Sequence, residues 1–164
     1  MRNLLKASGI VVASAFAAFA PSAGAQEMSF KEICQDVGAG APDRAGDREG
    51  HMFSVDHYSC RMKGGPMDGA LVTGSDVIEW DKTDGVEVLG DAAVRKPGGF
   101  AVHQDAEGKF AVTVADGKVT GFTGAGKVRW VVATGSAAPL AGKTFRYTAK
   151  STGAGQWEAD ATSE

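Results

Sequence analysis

From His51 to the C-terminus, apolar and polar residues alternate in short runs, and most runs end at a glycine, often as Asp-Gly or Gly-Gly. A period of two sends successive side chains to opposite faces of a strand, and glycine admits the positive φ that tight hairpin turns require. A chain patterned this way folds as an antiparallel sheet of short strands. The chain has 23 glycines, spread between the apolar runs and without a collagen-like period.

Residues 51–62 place Phe53, Val55 and His57 on one face and Met52, Tyr58 and Cys60 on the other. A turn at Gly64-Gly65-Pro66 leads to strands over 70–73 and 77–81, interrupted at Gly74. A hairpin turn at 82–85 precedes extended stretches over 86–89 and 92–94. Pro97-Gly98-Gly99 turns the chain again, and Asp105-Ala106-Glu107-Gly108 reads as a hairpin between strands 100–104 and 110–114. Asp116-Gly117 introduces strand 118–123, followed by an apolar strand over 128–134 with Val128, Trp130 and Val132 in phase. After a loop over 136–142, strands at 143–149 and 156–161 complete the pattern.

Eight or nine evenly spaced strands predict an all-β fold, a small antiparallel barrel of about eight strands, with a β-sandwich as the alternative. Closure removes the unpaired edges on which sheets aggregate. Residues 29–36 predict a short helical turn, with Ser29 as N-cap and Glu32 as its capping-box partner. Residues 37–50 read as an exposed loop.

The N-terminus predicts export. Arg2 and Lys6 form a basic start, residues 10–20 are apolar, and Ala23-Gly24-Ala25 is a small-residue cleavage site. The expected organisation is a signal peptide over 1–25, a segment and loop over 26–50, and a barrel domain over 51–164. The destination is periplasmic or secreted, and in such an oxidising compartment Cys34 and Cys60 predict a disulfide rather than a thiolate metal ligand beside His57. No metal or cofactor is expected. Removing Arg2 and Lys6 leaves 15 Lys and Arg against 20 Asp and Glu, which argues against nucleic acid or anionic lipid as a partner. The segments read as strands are shorter than the roughly 9–11 residues of a bilayer-spanning strand, so no membrane insertion is expected after cleavage.

The run 117–127, Gly-Lys-Val-Thr-Gly-Phe-Thr-Gly-Ala-Gly-Lys, resembles the glycine-rich strand junction of the allene oxide cyclase and dirigent β-barrels. Residues 148–157 also look like the tail of small exported bacterial β proteins without assigned function. The resemblance implies an eight-stranded barrel with an apolar interior that guides cyclisation or coupling of small molecules, often in an oligomer. None of that family's functional polar residues has a counterpart here.

Among residues that carry chemistry, His57 shares the face of Phe53 and Val55, where an apolar interior would hold its imidazole neutral. Trp130, Phe145 and Tyr147 alternate as core or pocket residues. His57, Trp130 and Tyr147 are the candidate ligand-binding residues; no catalytic residue is assigned. His103 is expected to face outward, and Glu79 and Asp81 to form the solvated side of their strand. No nucleophile elbow or phosphate loop is present. These features predict an exported, non-catalytic barrel binding a small apolar or aromatic molecule. An isomerase or cyclase acting on a small hydrophobic substrate, and a structural or protein-interaction domain, are the alternatives.

Overall fold

The computed structural model describes residues 27–38 and 42–164. The expected signal peptide lies outside the described residues. Nine strands follow one another: β1 (Ser29–Asp36), β2 (Asp43–Arg44), β3 (His51–Lys63), β4 (Leu71–Asp81), β5 (Asp84–Lys96), β6 (Gly99–Ala115), β7 (Lys118–Gly135), β8 (Thr144–Gly153) and β9 (Gln156–Ser163). A 3-10 turn at Ala138–Leu140 lies between β7 and β8.

From β3 to β9 each strand pairs antiparallel with the next in sequence, and β1 closes the ring by pairing with both β9 and β3. The result is the expected eight-stranded antiparallel barrel, with β2 added beside the opening residues of β3. Closure explains why residues 29–36 are a strand rather than the expected helical turn. Phe30, Glu32 and Cys34 alternate inward, and without this segment the facing edges of β3 and β9 would be left unpaired, which outweighs one local cap. The Cys34–Cys60 disulfide forms across directly opposed positions of that closing seam, with Cα atoms 4.0 Å apart.

Several expected turns are instead mid-strand. The Asp105–Gly108 run lies within β6, Gly74 lies within β4, and segments 118–123 and 128–134 are one strand. The agreement in strand number therefore rests partly on different segments. Strands are also longer than expected, up to 18 residues in β7, so their length gives no argument against a bilayer. The turn at Asp116-Gly117 is where positive φ is required at both positions, 51° and 71°.

Bulges change which residues face inward. Val131 has no partner between Val132↔Val102 and Trp130↔His103, so Val128, Trp130 and Ala133 face the interior while Val132 is 43% exposed. His103, expected to face outward, instead follows Ala101 in the inward phase of β6, so it lies inside the barrel and is 5% exposed. A period of two predicts faces only until an inserted residue reverses the phase.

One end of the barrel is filled. Met62, Met67, Val72, Val94, Trp130, Leu140 and Phe145 are almost wholly buried there. Leu140 arrives on the 3-10 turn and Met67 on the β3–β4 connection, together plugging the base. Phe30, Trp130 and Phe145 form an edge-to-face and tilted cluster with centroids 5.2–6.3 Å apart.

Two consequences can be measured. Trp130→Ala is expected to lower unfolding stability by about 3–5 kcal/mol, the scale of a large aromatic cavity, in a denaturant titration. Replacing Cys34 and Cys60 together with alanine should cost about 2–4 kcal/mol, seen as a lower melting temperature, with barrel circular dichroism retained below it.

Candidate functional site

Above the filled base the barrel stays open and encloses a cavity of about 520 Å³. Its floor includes Phe30, Glu32, His103 and Val128, and its rim reaches Pro42, the β6–β7 hairpin and the β8–β9 turn. The wall is aromatic. Phe110, Phe122, Trp157 and Tyr58 run edge to face, with successive centroids 6.3, 6.3 and 5.3 Å apart. Trp80 lies across β4 and donates its indole N–H to Ser54 Oγ at 3.0 Å.

The ionisable groups lining the cavity are mostly acids. Asp76 on β4, Glu87 on β5 and Asp105 on β6 bring carboxylate oxygens within 4.8 Å of one another. A bulge aims Glu87, while Asp105 continues the inward phase of Ala101 and His103. Val88 is skipped between Leu89↔Val77 and Glu87↔Ile78, which turns Val86, Val88 and Leu89 outward and Glu87 inward. Ala106 is skipped between Asp105↔Val128 and Glu107↔Lys127, so both Asp105 and Gly108 face the interior. A regular β5 continuing the phase of Val94 and Ala92 would have buried Val88 and Val86 and left Glu87 in water.

Glycines make the room. A Cβ on Gly90 would collide with the Glu87 and Asp105 carboxylates and approach Asp76 Oδ1 to 3.0 Å. One on Gly108 would strike Glu87 and approach Tyr147 Oη to 2.9 Å. Gly126 faces the same tyrosine, with its hypothetical Cβ 2.7 Å from the hydroxyl, and Gly124 accommodates Phe110. Two of the glycines in the 117–127 run thus have a packing reason: the barrel wall is thinned where Tyr147 and Phe110 cross it.

Burial, reinforced by the neighbouring Glu87 and Asp105 charges, pushes Asp76 up to about 9. Glu87 and Asp105 are both raised, chiefly by burial, and each acts on the other's titration. Tyr147 donates a long hydrogen bond of 3.4 Å to Glu87 Oε2. Glu32, 8% exposed, is pushed up to about 7 by burial and by Asp105. His103 is pushed down to about 4 by burial, so its ring is neutral at pH 7. Glu32 Oε1, Asp76 Oδ1 and His103 Nδ1 have no hydrogen-bond partner among the described residues.

The sequence-derived candidates fare differently. Tyr147 lines the cavity. Trp130 is wholly buried beneath the floor, 5.0 Å from the His103 ring centroid, and does not line the cavity. His57 is exposed on the outer face of β3, while Ser54, Asp56 and Tyr58 point inward. Both faces of β3 carry apolar residues, so alternation alone could not choose between them. Glu79 is on the outer side, 2.8 Å from His51 Nε2. Glu87 escaped the sequence pattern because it sits at a bulge, and Asp105 because its run reads as a hairpin turn although it lies within β6. Their signal was the pairing of acids with glycines, Glu87 with Gly90 and Asp105 with Gly108, inside apolar stretches.

Fold and site together define an antiparallel barrel with one filled half and one open, acidic, aromatic half. Neither a protein-family model nor a curated protein matches the chain.

The carboxyls also set the pH response. A folded pKa above the unfolded value means that the native state holds more protons, so stability is present at low pH and lost as pH rises through the folded value. His103 works in the opposite sense, but only between about 4 and its ordinary value near 6.5. Between pH 6.5 and 9 the unfolding midpoint should therefore fall. Asp76→Asn should flatten that slope and exceed the parent in stability at pH 8.5 by more than about 1 kcal/mol, as read by urea titration.

Proposed function

We propose that this protein is an exported barrel that binds one small molecule with an apolar or aromatic body in its open half, without transforming it. The observation that carries this reading is the cavity of about 520 Å³, walled by the Phe110–Phe122–Trp157–Tyr58 arc. Its size lies in the range of sites that enclose drug-sized ligands. An eight-stranded barrel is near the limit at which side chains fill the interior, and here glycines and alanines on the inward face favour space over filling.

The disulfide across the seam supports an oxidising destination, periplasmic or secreted, in keeping with the N-terminal export pattern. A water-facing exterior is supported by ion pairs on the outer surface. Lys31 reaches Asp160 at 3.0 Å and Glu158 at 3.3 Å, and Lys150 reaches Glu158 at 3.1 Å. Charged pairs across three adjacent strands are costly against lipid.

A second reading, an isomerase or cyclase, has one observation in its favour. Acids with pKa values near neutrality, beside Tyr147 and a neutral His103, can exchange protons with a bound molecule. The resemblance to allene oxide cyclase and dirigent barrels supports it at the level of architecture only.

Binding is tested by native mass spectrometry and by fluorescence titration with the neutral dye Nile red. Filling the cavity with Ala159→Trp, at a β9 residue that lines it, is expected to reduce dye affinity by about tenfold or more while leaving the barrel's circular dichroism unchanged. A protein that carries no organic mass and does not bind the dye would point instead to a structural or interaction domain.

A further inference from the structure

We propose that the molecule taken into the barrel is an organic cation, an ammonium-bearing compound whose charged nitrogen sits at the Asp76, Glu87 and Asp105 oxygens and whose apolar or aromatic body lies along the aromatic wall. This deepens the small-molecule reading and rests on it. The first support is the charge of the lining. Glu32, Asp36, Asp56, Asp76, Glu87 and Asp105 all border the cavity, with no lysine or arginine lining it among the described residues. A concave site of one charge sign with low-dielectric walls concentrates ligands of the opposite sign.

The second support is independent of the acidic cluster. His103 is 5% exposed, lines the same cavity and leaves Nδ1 without a partner; Glu32 is 8% exposed and leaves Oε1 without one. Buried polar atoms are ordinarily satisfied, so cavity-lining side chains that leave such atoms unpaired mark where a ligand's donors and acceptors fit. An ammonium group supplies up to three N–H donors and one positive charge, which suits acceptor oxygens clustered within 4.8 Å.

The third support is the shape of the site. A bare divalent ion would need only the carboxylate trio, whereas this cavity extends for about 520 Å³ along Trp80, Phe110, Phe122 and Trp157. Aromatic faces beside acidic groups recognise ammonium ions through cation–π attraction as well as charge. The carboxyls themselves explain why a cation is the missing member. Packed together in the barrel they repel one another unless protonated, and a bound ammonium relieves that repulsion.

Tryptamine, its neutral analogue indole-3-ethanol and the anionic indole-3-propionate separate the possibilities by isothermal titration calorimetry at pH 8. The expected order is tryptamine tighter than indole-3-ethanol by about tenfold or more, with indole-3-propionate weakest. Glu87→Gln and, independently, Asp105→Asn should each remove most of the tryptamine preference and spare indole-3-ethanol, so that a failure of one variant to fold leaves the other informative. Equal affinity for tryptamine and indole-3-ethanol in the parent protein would overturn the cation assignment while leaving the small-molecule reading intact. Absence of tryptamine binding would overturn it as well, and Nile red then decides whether the cavity binds anything. Calcium chloride binding tighter than tryptamine, displacing it and lost in the same variants, would replace the organic cation with a metal ion.

Discussion

The pairing of β1 with both β3 and β9 is the constraint on which everything else depends. An open eight-stranded sheet would expose two edges and one apolar face; the ring satisfies the edges and turns that face into an interior. The Cys34–Cys60 bridge lies on this closing seam and ties the first strand to the third. Closure is also non-local, since β1 and β9 come from opposite ends of the described chain. The barrel cannot be complete until the last strand is in place.

Once the ring is closed, its two halves are built by opposite means. At the base, Met67 and Leu140 descend from connections to fill the space that strand side chains leave, and Phe30, Trp130 and Phe145 pack over them. In the upper half, bulges and glycines work against filling. A bulge in β5 turns Glu87 inward beside Asp105, a bulge in β6 brings Gly108 to the same face, and Gly90 and Gly108 give the carboxyls space. Buried acids without opposite charges destabilise a native state, so this arrangement runs against stability. That opposition is the physical ground for reading the upper half as a binding site rather than as core.

The binding and enzymatic readings share the same groups and differ in what those groups do. Held charge-complementary to a ligand, the carboxyls provide affinity and discrimination; with protons mobile near neutrality, they provide acid and base. The geometry favours the first, because the aromatic wall and the acidic patch together describe one amphipathic cationic shape. Selection by such a site depends on both features, since the wall alone is indifferent to charge and the acids alone are indifferent to the ligand's body.

Alternation and glycine turns in the sequence alone determined the all-β class, the antiparallel meander and the approximate strand number. The two cysteines determined the disulfide, and Trp130 and Phe145 were legible as large interior side chains. Only the tertiary structure decided the rest. Whether His57 or Tyr58 faced inward depended on which side of β3 the ring closed around, because apolar residues occur on both. Whether Glu87 faced inward depended on the bulge at Val88, a single unpaired residue that reverses the phase of the strand beyond it, and His103 and Asp105 faced inward because β6 buries the phase of Ala101 rather than that of Phe100. Segment 29–36 became a strand because two distant edges needed a partner. Local patterning specifies faces and turns, but the assignment of a face to the interior is a property of the closed sheet, and closure joins residues too far apart for any local pattern to encode.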